Sequence, residues 1–167
     1  ILLRYFNPVG AHPSALIGEN PIEKPNNLVP LITQTAIGIF EKMYVWGNDY
    51  ETRDGYCIRD YIHVMDIANA HTKALENLLQ NESNPPYEIL NLGTGNGITV
   101  MELIQTFEKI SGVRLRYEIG PRREGDVMAI YANNEKARKV LNWQIRYSIE
   151  DMMQTAWAWQ QMLQKQA

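Results

Sequence analysis

Cysteine is almost missing from this sequence. Of 167 residues one is cysteine, Cys57, which excludes an internal disulfide and suits a reducing, cytoplasmic compartment. The three histidines, His12, His63 and His71, stand at no metal-ligand spacing, so no metal site is expected. No apolar run is long enough to cross a bilayer, and no membrane association is expected. Positive charge is not in excess: the net charge is −3, which offers no basic face to nucleic acid. Repeats and low-complexity tracts are lacking. What is present suffices for one ordinary domain, with 45% hydrophobic residues to build a core. The chain opens on Ile1-Leu2-Leu3-Arg4-Tyr5-Phe6, which reads as the inside of a strand. It is therefore expected to be a piece of a longer chain, with room for a targeting segment upstream.

Strand-like and helix-like patterns alternate, which predicts an α/β fold. Residues 1–6 read as a buried strand, and residues 7–27, rich in proline and glycine, as a long functional loop. Asn27 is placed to cap a helix over about 28–40, with Leu28, Leu31, Ile32, Thr35, Ala36 and Ile39 on one face. Short strands follow at 44–46 and 60–64. Asp66 is expected to cap a helix over about 67–80 whose face carries Ile67, Ala70, Ala74, Leu75 and Leu78. A strand is predicted at 87–92, and Thr99 with Glu102 forms a capping box for a helix over about 100–111. Residues 114–119 alternate, with Leu115, Tyr117 and Ile119 sharing a face. A loop over 120–132 leads to helices over about 134–142 and 149–165, the last capped by Ser148 with Asp151.

Several motifs have both a chemical and a packing reading. Gly93-Thr94-Gly95-Asn96-Gly97 between strand and helix, with Glu118 after the next strand, is an imperfect dinucleotide fingerprint: Ile98 stands where its third glycine belongs. Tight strand-to-helix packing explains such a turn equally well. Asn26-Asn27-Leu28 opens a helix, as an ordinary cap or as an amide and free N–H groups facing an anion. Arg59-Asp60 and Arg122-Arg123-Glu124-Gly125-Asp126 are solvated pairs or the converging cations a pyrophosphate needs, with Asp126 as acceptor for ribose hydroxyls. Trp46, before a glycine, is a ligand candidate, whereas Trp143, Trp157 and Trp159 suit core packing, His63 strand packing and His71 a helix face. No Ser-His-Asp or Cys-His arrangement is evident.

Taken together, Leu3 to Ser14, Asn26-Asn27-Leu28-Val29-Pro30, Gly47 to Gly55, Arg59-Asp60-Tyr61-Ile62-His63-Val64, Asn91-Leu92-Gly93-Thr94-Gly95 and Arg122 to Asp126 resemble, in order and spacing, the C-terminal half of the UDP-glucose 4-epimerases. That family belongs to the extended short-chain dehydrogenase/reductases. The resemblance implies that residues 1–167 are a substrate-binding domain plus the late strands of a Rossmann-type sheet. The NAD-binding N-terminal half with its Tyr-x-x-x-Lys group would be absent: Tyr131 is followed by Glu135 at the lysine position. It implies a UDP-hexose substrate, NAD bound mainly by the other half, no catalytic residue here, and a homodimer when intact. It implies that Gly93–Gly97 follows a late strand and is not the NAD loop. Phe6 would lie near the nicotinamide and Asn7 near phosphates or hexose. Asn27 and Leu28 would contact UDP, and Tyr44, Val45 and Trp46 the uracil. Arg59 and Arg123 would grip the diphosphate, with Glu124 and Gly125 in the same turn, Asp126 at the ribose and Ile130 at the hexose. Three positions depart from the family's habit: Ile130 where Tyr or Cys is common, Trp46 for Phe, and Tyr56 for Thr. A pentose or N-acetylhexosamine epimerase, or a non-catalytic nucleotide-binding module, stays open beside this reading.

Overall fold

The computed structural model describes residues 1–80, 85 and 87–166. Two parallel pairs involve the first two strands. β1 (Leu2–Tyr5) pairs with β6 (Ile89–Leu92), and β2 (Asn7–Val9) with β5 (Tyr61–His63). β3 (Met43–Trp46) and β8 (Tyr117–Gly120) form a third parallel pair. β4 (Ile58–Arg59) lies between β7 (Ile98–Thr99), antiparallel, and β9 (Ala129–Ile130), parallel. The helices are α1 (Leu28–Ala36), α2 (Val64–Gln80), α3 (Val100–Ser111), α4 (Glu135–Leu141) and α5 (Ile149–Gln166). Parallel pairs joined through helices are the expected α/β class.

Strand alternation divides the core in two. In β5, Tyr61 packs into a cluster with Val45, Phe107 and Met153 from β3, α3 and α5, while its neighbour Ile62 enters a second cluster with Ala70, Leu90, Leu92 and Trp143. His63 completes the strand at 0% exposure. Its Nδ1 accepts from the Met65 amide at 3.0 Å, and its Nε2 lies 3.0 Å from Thr155 Oγ1 on α5. The Met65 contact makes Nδ1 the unprotonated nitrogen, so Nε2–H donates to Thr155.

Some expected caps and faces are corrected. Asp66 does not cap α2. It sits inside the first turn, buried, and accepts from the amides of Arg146 and Tyr147 at 3.2 Å each. The strand runs straight into the helix, and His63 satisfies a first-turn amide instead. Asn27 occupies the N-cap position of α1 but makes no side-chain cap bond. Its amide donates to Glu19 Oε1 at 2.9 Å. α1 ends at Ala36 because Gly38 turns the chain at φ +86°, which leaves Ile39 59% exposed. The capping box of Thr99 and Glu102 is present as expected, as are the reciprocal bonds of Ser148 and Asp151.

β1 is not a buried strand: Leu2 is 55% and Tyr5 48% exposed. Among the described residues it pairs with β6 alone; Leu3 packs on the second core cluster and Tyr5 lies 6.2 Å from the His71 ring. Leu75 and Leu78, expected on the face of Ile67, Ala70 and Ala74, are exposed, and of the three residues expected to share a face in 114–119 Leu115 is buried while Tyr117 and Ile119 are exposed. Trp143 is fully buried and Trp157 meets Phe107 edge-on at 5.5 Å, as expected. Trp159 instead ties the long loop, donating from Nε1 to the Glu19 carbonyl at 2.8 Å.

Candidate functional site

A cavity of about 300 Å³ opens where β2, β3, β4 and the start of α1 converge. Each wall follows from local structure. β3 alternates, burying Met43 and Val45 and turning Tyr44 and Trp46 outward, so the two rings stack at 5.6 Å and 22°. Gly120 on β8 lets Trp46 lie flat against the backbone: a Cβ there would sit 2.7 Å from the indole. The opposite wall is the N-terminus of α1. Pro30, in its first turn, has no N–H to leave unpaired, and the helix end contributes its dipole to the cavity.

The floor carries the charge. Arg59 Nη1 donates to the carbonyls of Ile58 and Val127 at 2.9 and 2.6 Å, which anchors the guanidinium. Its Nη2 reaches Asp126 Oδ1 at 3.4 Å, and Arg123 Nη2 reaches the same oxygen at 3.2 Å. Arg122, next in sequence, faces away. It binds the Asp49 carboxylate at 2.7 Å and lies over the Tyr50 ring at 4.5 Å. This contact holds the Asp49 carboxyl below its usual pKa. Of the adjacent arginines, the structure assigns Arg123 to the cavity and Arg122 to bracing the turn before β4.

Phe6, Asn7, Asn27, Leu28, Tyr44, Val45, Trp46, Arg59, Arg123 and Asp126 all line this cavity. Val45 does so from a core position, at 2% exposure. Glu124 and Gly125 lie in the Arg123–Asp126 turn but not in the cavity wall, and Gly125 takes φ +81° there. Ile130 lies beyond the wall. It lines a neighbouring open cavity with Arg4, Tyr5 and Asn91, and Phe6, Asn7 and Arg59 border both. Cys57 and Tyr61 also line the main cavity and were not among the expected residues. The signal was available: Cys57, Arg59 and Tyr61 alternate along one extended segment, so one side-chain direction serves all three. Burial raises the Tyr61 phenol pKa well above its usual value, so it stays protonated.

The glycine-rich turn does not face a ligand. Asp60, at 0% exposure, accepts from the amides of Thr94 (2.8 Å), Gly95 (3.0 Å) and Ala132 (2.9 Å) and from Thr94 Oγ1 (2.6 Å). Its carboxylate takes the amides a phosphate would need. A Cβ on Gly93 would stand 2.4 Å from Asp60 Oδ2, so the glycine is required for that approach. Glu118, the acidic partner of the imagined fingerprint, is paired with Lys42 at 2.6 Å. The turn is an internal clasp held by Asp60. Among the described residues no cluster of His, Cys, Asp or Glu is arranged to hold a metal ion, and no helix is long and apolar enough to cross a membrane.

A stacked aromatic pair, a helix N-terminus and two convergent arginines on an α/β scaffold have the chemistry to hold an anionic, ring-bearing ligand. The chain belongs to the family described as GDP-mannose 4,6 dehydratase, whose sequence model matches residues 1–156. Within that family it is 52% identical over 160 residues to a UDP-glucose 4-epimerase of Yersinia enterocolitica, covering 96% of this chain and 46% of that one. A solved UDP-glucose 4-epimerase of Stenotrophomonas maltophila, with bound NAD and formylated UDP-arabinopyranose, superposes with a TM-score of 0.94 at 48% identity, over 99% of this chain and 48% of that one. Another, of Bifidobacterium longum with NAD+ and UDP, gives 0.90 at 43% identity, over 96% and 47%. The chain thus spans about half the length of the relatives it matches.

Proposed function

We propose that residues 1–167 are the UDP-sugar-binding C-terminal half of an enzyme that interconverts UDP-glucose and UDP-galactose through transient oxidation at C4. The observation that supports it best is the convergence of Arg59 and Arg123 on one point of the cavity floor, beside the Tyr44–Trp46 stack and the start of α1. A uracil fits the aromatic side and a diphosphate the arginines. The adjoining cavity lined by Asn7, Asn91 and Ile130 is the natural place for the hexose. Its wall is open, which suits a sugar that must be released and turned over while the nucleotide stays held.

NAD, bound mainly by the other half of the protein, would supply the acceptance and return of hydride. This chain's own fit to it is limited to the rim. Phe6 borders both cavities, and the one glycine-rich turn is closed by Asp60. On this reading the catalytic acid–base groups belong to the other half, as the resemblance implies. The reading also carries a homodimer and a cytoplasmic location, for which a lone, buried thiol is suitable. The test is turnover of UDP-galactose to UDP-glucose by the full-length protein with NAD, with the Arg59→Ala variant as control. Wild-type protein that neither binds UDP nor converts UDP-galactose would overturn it.

A further inference from the structure

Asn27 has the backbone of a helix cap without doing a cap's work. It takes φ −78° and ψ 143°, the extended geometry of an N-cap, yet its side chain makes no cap bond. The side-chain amide is turned the other way and donates from Nδ2 to Glu19 Oε1 at 2.9 Å. We propose that Glu19 is a positioning residue: it holds the Asn27 side chain off α1, so that the first amides of the helix stay open to the anionic part of the ligand. This rests on the reading of the cavity as a UDP site.

The helix start has few donors, which makes the diversion count. Pro30, third in the helix, has no N–H, and the Leu31 amide already donates to the Asn27 carbonyl at 3.4 Å. That leaves the amides of Leu28 and Val29, which donate to no acceptor among the described residues. A capping Asn27 Oδ1 would take the second of them and stand where the anion must enter. An ionised carboxylate only accepts, so Glu19 engages only the NH2 end of the amide and turns Oδ1 away from itself. Glu19 is in turn fixed from behind. Its carbonyl accepts from Trp159 Nε1 at 2.8 Å, and that indole packs so close to Gly18 that a Cβ there would lie 2.5 Å from the ring. The latch is thus anchored on α5. It reaches the cavity through Asn27, which lines the wall, whereas Glu19 does not.

Release of Asn27 therefore has two effects of opposite sign. The helix gains a cap, and the ligand loses amides. Calorimetry with UDP and thermal melting of the full-length protein test this in wild type, Glu19→Ala and Glu19→Gln, each with and without Asn27→Ala. Glu19→Ala is expected to bind UDP roughly five-fold more weakly while its melting temperature holds or rises. Glu19→Gln keeps an acceptor for the Asn27 amide and should bind UDP as wild type does. In the Asn27→Ala background, Glu19→Ala should cost no further affinity, because no side chain is left to cap the helix. UDP affinity unchanged or improved in Glu19→Ala, as loss of a nearby negative charge alone would give, would overturn the proposal and leave the UDP site standing. So would a loss that persists in the Asn27→Ala background, or one accompanied by a fall in melting temperature. Wild type that fails to bind UDP would instead overturn the site and the proposal with it.

Discussion

Arg59 is held by two backbone carbonyls as well as by Asp126, and its side chain is 18% exposed, whereas Arg123 has one partner and is 62% exposed. A charge-assisted contact to phosphate lost from the sheltered position costs about 1.5–3 kcal/mol, so Arg59→Ala should weaken UDP binding roughly ten- to a hundred-fold. Arg123→Ala should cost less and fade more as salt rises, since water and ions already surround it. Titrations at low and high salt that rank the two the other way would remove Arg59 from the diphosphate site. Ile130, 43% exposed, lines a cavity with Asn7 and Asn91, and on the proposed reading it would meet the hexose. Ile130→Ala should raise the ratio of UDP-N-acetylgalactosamine to UDP-galactose turnover and Ile130→Tyr should lower it; an unchanged ratio in both would acquit this residue. His63 bears on pH. Burial lowers its pKa from the ordinary 6.5, so it is neutral in the fold and must stay so. Its contribution is complete above the unfolded value and is lost as pH falls from there towards the lower folded one. The thermal midpoint of the full-length protein should therefore drop between about pH 7.5 and pH 5.5, and less so in His63→Gln.

Among the elements, the short β7-β4-β9 sheet depends on Asp60 more than on its own ladder. Its strands are two residues long, and the buried carboxylate ties the turn before β7 to the segment after β9. Asp60→Asn places an amide donor against backbone donors, and each buried group left unpaired costs about 1–3 kcal/mol. The expected outcome is a clear drop in melting temperature together with weaker UDP binding, because Arg59 precedes Asp60 and Ile130 ends β9. A variant with wild-type stability would show the clasp to be dispensable. At this scale the sequence was legible wherever a signal was local. The Thr99–Glu102 box and the Ser148–Asp151 pair needed only residues three apart. Asp66 misled because a carboxylate at a helix start looks like a cap, and only the fold brings the Arg146 and Tyr147 amides to it. Cap or buried acceptor is decided by a partner some eighty residues away, which no local pattern contains.

At the level of the molecule, β1 and β6 form a two-stranded sheet with Leu2 and Tyr5 open on β1, and Leu75, Leu78 and Leu79 are exposed on α2. Two strands with apolar side chains left exposed are marginal on their own. The 167-residue chain expressed alone is expected to melt early or to associate as concentration rises, and to lack epimerase activity. Mixing it with the remaining half of the relatives' length should raise the melting temperature and restore UDP-galactose turnover. A chain that stays monomeric, melts cooperatively at high temperature and gains nothing from the mixture would show that these faces need no cover.

The order of the helices and of the longer strands, the α/β class and many of the residues that line the cavity were legible in the sequence alone, because alternation, helical spacing and caps are short-range and the arginine- and aromatic-bearing segments keep a recognisable order. The two- and three-residue strands β2, β4, β7 and β9 were not, since so short a run carries no period of its own. The choice of Arg123 over Arg122 was already implied by the resemblance; tertiary structure alone decided that Arg122 turns away to Asp49, that Cys57 and Tyr61 belong to the cavity wall, and that Asp60 is the group that closes the glycine-rich turn. Adjacent residues share composition and spacing, and what separates them is the direction each side chain takes once distant strands have paired.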